Sequence, residues 1–433
     1  MKYSFTDEIP VVAQADVVVV GGGPGGIGAA VMAARNGARV ILVERYGYPG
    51  GMAGSGEVHP FMRNQLEGEC LDKPVYLEWV AAIQKYNQNN PTPGEEGVLK
   101  GGRATMISKE AAMLAAEDLL LDAGVDVIYH HDLVDAIVED GKIDAAVFHS
   151  KSGFVAIKGK AFVDCTGDGD LAAVSGCEFE IGGPTGHCQP MTTCFKLANI
   201  DPDRMPSRQK ITELYWKARD NGEISCPRED VLMFDWLEPT VMHFNTTRII
   251  HRSAVDGIEI SQAEIEGRKQ IREFLAFFHK HVPGFENARI HSMAHHVGVR
   301  ESRRVKGIAY GTREDFVNGR KFPDSIARLR YMIDIHNPDG SGTEKFHLPQ
   351  GEWCELRFGV VVARDLTNLT VGGRCVSVDH AMHSSMRVMP PACTVGQAAG
   401  LAAALAAQCD VSTHDLDGVA IHNMLKDQGA SLT

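Results

Sequence analysis

The chain has no excess of positive charge. Its 433 residues include 43 Lys and Arg against 56 Asp and Glu, a formal net charge of −13. Nucleic acids and anionic membranes are both bound through basic surfaces, so this balance argues against either as the main partner. An acidic total still allows a local pocket of arginine and histidine, and we expect a small-molecule partner.

The ten cysteines contain no C-x-x-C pair. Zinc knuckles and thioredoxin-like redox dithiols use that spacing, so we expect neither. The first ten residues (MKYSFTDEIP) carry acids and no apolar core, which predicts no secretory leader. The most apolar late stretch, residues 395–407, is rich in alanine and is shorter than a bilayer-spanning helix. A cytoplasmic protein with free thiols is the expected setting.

What the chain does contain is a βαβ unit near its start. Residues 15–20 (ADVVVV) form an apolar run typical of a buried parallel strand, and residues 27–36 form a helical stretch. Between them lies the motif Gly21-x-Gly23-x-x-Gly26, and the next apolar run, 39–43, ends at Glu44. The unit predicts an α/β protein with a Rossmann-like parallel sheet and a right-handed crossover.

Each residue type in this motif has a role in binding a dinucleotide. Gly21 permits a tight turn, Gly23 lets the backbone approach a pyrophosphate, and Gly26 lets helix and strand pack closely. The helix N-terminus offers free N–H groups and the positive end of its dipole to the phosphates. Glu44 can accept hydrogen bonds from both ribose hydroxyls and would repel a 2′-phosphate, which disfavours NADP. The motif alone does not separate NAD from FAD.

The remaining pattern predicts a dinucleotide-binding domain built from both ends of the chain. An amphipathic helix at 108–123 is followed by short strands around the turn 139–142, which predict an antiparallel β-meander. The βαβ rhythm then stops, and it returns only at 369–373, before an alanine-rich helix that starts near Pro390. The predicted divisions are residues 1–175 and 356–433 for the dinucleotide-binding domain and residues 176–355 for an inserted mixed α+β substrate domain.

One helix of the inserted domain is strongly signalled. Ser261 and Glu264 have the spacing of a capping box, which predicts a helix start. Ile271, Phe274 and Phe278 then form an apolar stripe, which is more typical of core packing than of a cofactor contact.

Three further features favour FAD over NAD. Residues 47–56 (GYPGGMAGSG) follow Glu44 closely and supply a second glycine loop beside the phosphates. Residues 163–170 (VDCTGDGD) read as another strand that ends in a Gly/Asp turn. The chain has no second G-x-G-x-x-G for a separate nicotinamide domain.

These features resemble the bacterial FAD-dependent oxidoreductase family, within the larger group of glutathione-reductase-like and fumarate-reductase-like flavoproteins. The resemblance covers nearly the whole chain. It is carried by TGDGDLAAVSG, QPMTTCFKL, VPGFENARI through VGVRESRRVKG, FPDSIARLRYMIDIHNPDG, and the late segment VGGRCVSVDHAMHSSMRVMPPACTVGQAAG. A departure from the family pattern is His59, where a polar amide is more usual; the residue either alters the substrate pocket or lies on the surface.

The resemblance implies which residues would contact each part of FAD. The pyrophosphate would lie at Gly21, Gly23 and Gly26, and the adenosine at Glu44 and Arg45. Gly50, Gly51 and Met52 would lie along the pyrophosphate and isoalloxazine, and the backbone of Val134 would contact adenine. Thr166, Gly167 and Asp168 would form a second turn near the phosphates. Gly373, Arg374 and the helix N-terminus at Met389 would approach the flavin.

Candidate catalytic residues gather late in the chain. His380, His383 and Arg387 lie within eight positions, and Arg300 lies in a second basic cluster. Histidine suits proton transfer near neutrality, and arginine suits a carboxylate or a developing oxyanion. The alternative for each histidine is a buried structural hydrogen bond. The i, i+4 pair His291 and His295 lacks a third ligand, so no metal site is predicted.

The sequence leaves several functions open. The first is an FAD-dependent dehydrogenase or oxidase that transfers a hydride from a small polar metabolite, such as a hydroxy acid, sugar derivative or amine, to FAD. The second is a flavin-dependent reductase of an activated C=C bond, and the third is an electron-relay flavoprotein without its own small substrate. A nicotinamide-dependent dehydrogenase is the fourth. The substrate, the electron acceptor and the oligomeric state, a homo-oligomer included, stay open.

Overall fold

The described part of the chain, residues 8–86 and 107–433 of a computed structural model, alternates strands with helices. Residues 1–7, which belong to the segment considered for a secretory leader, and residues 87–106 lie outside the described part. The strands are β1 (Val11–Val20), β2 (Val40–Val43), β3 (Gln65–Leu66), β4 (Glu69–Cys70), β5 (Asp126–Ile128), β6 (Asp132–Glu139), β7 (Lys142–Ser150), β8 (Gly153–Asp164), β9 (Phe179–Ile181), β10 (Phe195–Ala198), β11 (Met233–Asp235), β12 (Met242–Phe244), β13 (Arg289–Met293), β14 (Arg303–Val305), β15 (Ser325–Leu329), β16 (Ile333–His336), β17 (Thr343–Phe346), β18 (Cys354–Arg357) and β19 (Leu369–Val371). The α-helices are α1 (Pro24–Arg35), α2 (Val75–Ile83), α3 (Lys109–Asp122), α4 (Asp170–Val174), α5 (Arg208–Asp220), α6 (Gly257–His281), α7 (Arg313–Val317), α8 (His380–Met386), α9 (Met389–Cys409) and α10 (Gly418–Asp427). Short 3₁₀ turns lie at Gly51–Ala53, Phe358–Val360 and Thr413–Asp415.

The main sheet confirms the predicted α/β class. Its strand order is β5-β2-β1-β8-β7-β6, and β19 pairs with β8. Strands β5, β2, β1, β8 and β19 run parallel, whereas β6, β7 and the first half of β8 form the predicted antiparallel meander. Strand β8 belongs to both parts of the sheet, because it pairs with β7 at one end and with β19 at the other. The sheet is Rossmann-like with an added meander.

Helices α1 and α9 pack against each other through small residues. A Cβ added at Gly28 of α1 would lie 2.2 Å from the carbonyl oxygen of Cys393 in α9. A Cβ at Gly400 of α9 would lie 2.0 Å from the carbonyl oxygen of Ala29. These glycines allow the two helix backbones to touch, and both helices are largely buried.

The alanine-rich helix predicted to start near Pro390 is α9, which begins at Met389. It has 21 residues with a mean hydropathy of 1.3, so the helix that contains residues 395–407 is long enough and apolar enough to span a bilayer, unlike that stretch alone. Its most apolar window is 83% buried inside the protein, however, and alanine and glycine line its contact with α1. We interpret it as a core helix, since a buried core helix has the same length and composition.

A second sheet lies outside the main one. Its order is β11-β12-β10-β13, all antiparallel, and its apolar core is separate from that of the main sheet. The apolar stripe of α6, including Ile271, Phe274 and Phe278, is buried in this second core, as predicted. The domain limits at 175/176 and 355/356 remain a prediction.

The capping box predicted at Ser261 was wrong. Helix α6 begins at Gly257, and the Asp256 carboxylate caps it by accepting hydrogen bonds from the amides of Ile258 and Glu259. Ser261 and Glu264 therefore lie inside the helix. Their spacing matches the motif by composition alone, because Asp256 is an equally good cap one turn earlier.

Candidate active site

A cavity of about 600 Å³ lies at the carboxyl ends of the parallel strands. Val20 at the end of β1, Cys165 after β8 and Gly372 after β19 all line it. Open α/β sheets bind their ligands in a crevice at this edge. The cavity is therefore the candidate site, and both the glycine motif and a group of charged side chains open onto it.

The glycine motif lies where the chain backbones touch. Gly21 has a φ of 100°, and a Cβ there would lie 2.4 Å from the carbonyl oxygen of Cys165. A Cβ at Gly26 would lie 1.8 Å from the carbonyl oxygen of Gly21. Gly23 lines the cavity as the N-cap of α1, and no side chain caps the helix. The first and third glycines thus form the tight strand–helix junction, and the second leaves the helix N-terminus open to a ligand.

Glu44 lies at the end of β2 and lines the same cavity, although its side chain is buried. Its carboxylate accepts hydrogen bonds from the amides of Gly22 (2.6 Å) and Tyr46 (2.9 Å). Burial raises the pKa of this carboxyl group, and the two amide bonds oppose that shift. The two amides fix the orientation of the carboxylate, whose remaining lone pairs can accept from a ribose. Arg45 beside it also lines the cavity.

The second glycine loop packs directly over the first. The amide of Gly50 donates to the carbonyl oxygen of Gly22 at 2.8 Å. A Cβ at Gly51 would lie 2.7 Å from the Cα of Gly23. Gly51 and Met52 line the cavity, and Gly50 lies behind them. The loop therefore narrows the space above the α1 N-terminus, where a pyrophosphate would lie.

The Gly/Asp turn after β8 is joined to the segment after β19. Thr166, Gly167, Gly373 and Arg374 line the cavity. Asp168 lies behind them and accepts a hydrogen bond from Arg374 at 2.8 Å. Burial disfavours the charge on Asp168, but the Arg374 guanidinium, the Ser302 hydroxyl and Arg45 together outweigh burial and lower its pKa. This ion pair fixes both turns at the edge of the cavity.

Two predicted cofactor contacts differ in position from the rest. Val134 in β6 is 41% exposed and does not line the cavity, whereas its neighbours Asp132 and Leu133 do. An adenine contact at Val134 stays a prediction. Met389 lines the cavity as the first residue of α9, but Pro390 and Pro391 follow it and provide no N–H donors. That helix end would therefore act on a flavin mainly through its dipole, and the flavin contact at Met389 stays a prediction.

Arg300 and Arg387 both reach the cavity, as the sequence predicted for the catalytic candidates. Arg300 donates to the carbonyl oxygen of Pro190 at 2.6 Å and lies 3.5 Å from Oδ1 of Asn245. Burial lowers the pKa of Arg300 to about 9, and neighbouring arginines contribute. Arg387 lies 3.7 Å from the carboxylate of Asp334.

The histidines predicted with Arg387 are placed elsewhere. His380 contacts the Glu301 carboxylate at 2.8 Å, and His383 is fully buried with both ring nitrogens free of a hydrogen-bond partner among the described residues. Burial holds the pKa of His383 well below its ordinary value. Neither residue lines the cavity. His380 therefore fits the structural alternative, a hydrogen bond, whereas His383 makes no such bond within the described residues; a catalytic role for either residue stays a prediction.

A different histidine, missed in the sequence, does line the cavity. His336 lies two residues after Asp334 on β16, so both side chains point to one face. Their side chains approach to 3.5 Å, and the other ring nitrogen of His336 lies 3.2 Å from the Thr343 hydroxyl. Burial, followed by the charge of Arg300, lowers the pKa of His336 to about 3. The alternating Asp-x-His on a short apolar strand was the available signal.

His59 is a pocket residue rather than a surface residue. It is buried, lines the cavity and stacks on Trp236 with ring centroids 5.8 Å apart. Its Nε2 lies 2.9 Å from the carbonyl oxygen of Ala53, and burial lowers its pKa to about 3. The surface alternative for His59 was wrong.

Charged residues that follow Arg300 in the sequence form structural contacts. Arg303 contacts Asp170 at 2.7 Å, and Arg304 forms a buried ion pair with Glu301. His291 lies in strand β13 rather than on a helix, and His295 contacts the Tyr48 hydroxyl at 3.0 Å. The helical i, i+4 geometry considered for a metal therefore does not form.

The site fits FAD on three counts. Glycine junctions leave no room for side chains between strand, helix and loop, an uncapped helix N-terminus faces the cavity, and a buried carboxylate lies at the end of the second strand. Together with the Rossmann-like sheet and meander, these features define a dinucleotide-binding flavoprotein. The residues that would hold FAD are Gly21, Gly23, Gly26, Glu44, Arg45, Gly51, Met52, Thr166, Gly167, Gly373, Arg374 and Met389.

The family assignment agrees with this site. The model of the family described as FAD dependent oxidoreductase matches residues 16–425, so the chain belongs to that family. It is an enzyme, and FAD is its cofactor. The match covers both ends of the chain that build the main sheet.

Curated relatives are similar over shorter stretches. A digeranylgeranylglycerophospholipid reductase of Thermoplasma volcanium is 28% identical over 167 residues, 35% of this chain and 39% of that protein. A thiamine thiazole synthase of Methanococcus aeolicus is 26% identical over 163 residues, 36% of this chain and 55% of that protein. The chain thus spans about half or less of these relatives.

Solved structures are similar over most of the chain but at low identity. A geranylgeranyl bacteriochlorophyll reductase-like protein from Thermoplasma acidophilum has a TM-score of 0.48 and 13% identity, with 96% of this chain and 84% of that chain covered. A myxobacterial chondrochloren halogenase has a TM-score of 0.45 and 12% identity, with 96% and 78% covered. At these values neither likeness defines a substrate.

Proposed function

We propose that this enzyme oxidises a small anionic metabolite, such as a hydroxy acid, by hydride transfer to FAD. The observation that carries the proposal is Arg300, a buried guanidinium that lines the cavity. Its hydrogen-bond acceptors, Pro190 and Asn245, are neutral, and no carboxylate pairs with it within residues 8–86 and 107–433. A buried charge without a counter-charge is costly, which favours an anionic ligand at this position.

The surrounding arginines support this interpretation because each has its own acid. Arg228 lies 3.2 Å from Asp230, and Arg248 is paired with Glu229. These arginines and Arg387 lie close enough to lower the pKa of Arg300. A pKa of about 9 still leaves Arg300 protonated at pH 7. Its charge is thus available to a substrate carboxylate, which it can bind through two hydrogen bonds.

His336 is suited to accept the proton that an alcohol loses when it is oxidised. With a pKa of about 3 the imidazole is neutral at pH 7, and Asp334 lies beside one of its ring nitrogens. An anion bound at Arg300 would offset the positive charge that lowers the pKa of His336, so the ring becomes a better base when substrate is present. FAD, once bound, supplies the hydride acceptor.

In the reductase alternative, Arg300 would also bind the substrate, but the hydride would pass from the reduced flavin to the substrate. Reduction of a C=C bond requires a proton donor, and a neutral His336 is a weak one in the free site. A large isoprenoid substrate, as in the name of the Thermoplasma volcanium relative, is disfavoured by the charged lining of Arg228, Arg300 and Arg387. An electron-relay function would leave this anion pocket without a role.

The test is anaerobic bleaching of the flavin absorbance by a panel of small hydroxy acids, each matched with its amide or alcohol analogue. We expect bleaching by at least one acid and none by its uncharged analogue. Arg300→Gln should raise the substrate concentration for half-bleaching by roughly 10–100-fold, the value of one charged hydrogen bond. Arg204→Gln, in an exposed pair with Glu286, is the matched control.

Two results would contradict the proposal. If no acid bleaches the flavin but dye-reduced enzyme is reoxidised by fumarate-like acids, the enzyme is a reductase of activated C=C bonds. If neither reaction occurs with a fully flavin-loaded protein, the electron-relay function is favoured.

A further inference from the structure

Two histidines and an aspartate from three distant segments meet on the surface. His187, His251 and Asp339 place one ligand atom each within 4.8 Å of the others. Nδ1 of His187 lies 2.5 Å from Oδ1 of Asp339, and Nε2 of His251 lies 3.1 Å from the same oxygen. The centroids of the two imidazole rings are 4.7 Å apart. All three side chains are between 41% and 48% exposed, so solvent reaches them.

The backbone around this cluster is held by hydrogen bonds independent of the three side chains. Met191 and Ile249 exchange both backbone hydrogen bonds, at 2.9 and 3.0 Å, which joins the segments of His187 and His251. Arg248 donates to the carbonyl oxygen of Gly342 at 2.8 Å, which joins the second segment to the β16–β17 hairpin. The ligand atoms are therefore brought together by the fold.

The same residue types form transition-metal sites in proteins. Neutral imidazole and carboxylate are ligands for zinc and its first-row neighbours, and two histidines with one carboxylate leave open positions for water. Two ligands of a tetrahedral zinc ion lie roughly 3.3 Å apart, since each bond is about 2.0–2.1 Å long. The two histidine nitrogens lie 2.5 and 3.1 Å from the Asp339 oxygen and within 4.8 Å of each other, so side-chain rotations can bring all three ligand atoms to that spacing.

We propose that His187, His251 and Asp339 bind a divalent first-row transition ion, with Zn²⁺ the best-suited probe. The site is distinct from the flavin cavity, and its three ligands are separated by 64 and 88 positions in sequence, which is why no spacing motif reveals it. It does not depend on the proposed oxidation.

The position of the cluster gives the metal a structural consequence. The ligand segments also carry Pro190, which accepts from Arg300, and Asn245, which lies near the same guanidinium. The hairpin that carries Asp339 holds His336 at the cavity. A bound ion would therefore cross-link the three segments that surround Arg300 and His336 at the cavity and would restrict their relative motion.

The experiment measures zinc binding to the purified flavin-loaded protein after treatment with a chelator. Equilibrium dialysis against Zn²⁺, with metal and protein quantified, is expected to give about one ion per chain in the wild type. His187→Ala, His251→Ala and Asp339→Asn should each weaken binding by roughly 10-fold or more, since loss of even an outer-shell partner costs that much. His291→Ala, an exposed histidine of β13, is the matched control and should bind as the wild type does.

The melting temperature provides a second readout. Zinc should raise the melting temperature of the wild type and of His291→Ala but not that of the three ligand variants, because only a folded chain brings the ligands together. The proposal is overturned if the wild type binds no more zinc than the ligand variants do. It is equally overturned if zinc binds with the same affinity to all of them, which would place the ion elsewhere.

Discussion

Replacement of Gly26 by alanine should destabilise the whole strand–helix junction. The new Cβ would lie 1.8 Å from the carbonyl oxygen of Gly21 and 3.4 Å from the Cβ of Cys165. A carbon–oxygen contact requires about 3.2 Å, so α1 or the turn must move by more than 1 Å. Overpacking of a buried site costs roughly 1–3 kcal/mol, which for a chain of 433 residues corresponds to a fall in melting temperature of roughly 1–3 °C. The loss should be present with and without FAD.

Gly23→Ala is the matched substitution, and it should act on the cofactor alone. Its Cβ would meet only the Cα of Gly51, at 3.7 Å, and the φ of −72° suits alanine. The FAD-free protein should therefore keep its stability within about 1 kcal/mol. The methyl group would instead occupy the space in front of the α1 N-terminus, so we expect FAD affinity to fall at least roughly 10-fold, about 1.4 kcal/mol.

Both effects can be read from the same preparations. The melting temperature of the FAD-free protein reports the fold, and the quenching of FAD fluorescence on titration reports affinity. If Gly23→Ala binds FAD as tightly as the wild type, the pyrophosphate does not pass over Gly23. If Gly26→Ala has the same melting temperature as the wild type, the junction has room for a methyl group at position 26.

Three further predictions concern buried titratable groups. His336→Gln should lower kcat roughly 100-fold or more with little change in KM, measured by steady-state kinetics with an acid that bleaches the flavin; an unchanged kcat would exclude His336 as the base. Burial raises the pKa of Asp72 to about 7, so the folded state keeps its proton between pH 4 and 7 while the unfolded chain loses it. The free energy of unfolding should thus fall by up to about 4 kcal/mol as the pH rises from 4 to 7. Urea unfolding at several pH values should show this slope, and Asp72→Asn should remove it. Glu57→Gln should cost roughly 3–5 kcal/mol in the same assay, because Lys109 and the buried Lys196 both lose their counter-charge; a cost below about 1 kcal/mol would contradict this.

The FAD-binding half of the site was predictable because its signals are local. The glycine motif, β1, α1, β2 and Glu44 follow one another within about thirty residues, and each has a separate physical reason. The turn at Thr166 is likewise marked by the strand before it. Where a signal was composition alone, the prediction failed: Ser261 and Glu264 match a capping box, yet Asp256 begins the helix one turn earlier.

The polar part of the cavity was predictable only in fragments. Arg300 and Arg387 reach it, but His380 and His383 were grouped with Arg387 by closeness in sequence, and α8 directs both away from the cavity. His336 comes from a hairpin some fifty residues earlier, and its place depends on how β16 packs against α8. Such contacts are set by tertiary packing, and no short pattern in a single sequence encodes them.

Under the proposed function, the two parts of the cavity recognise their ligands with different kinds of atoms. Cofactor recognition would depend on backbone groups and on the absence of side chains at glycine, whereas substrate recognition would depend on the charge of Arg300 and proton transfer on the basicity of His336. Changes in the polar cluster can then alter the substrate without disturbing FAD, which is how one fold supports many reactions. On this reasoning Arg300→Gln keeps a full complement of flavin while it loses its preference for acids. Loss of flavin from that variant would show that the two parts of the cavity are not independent.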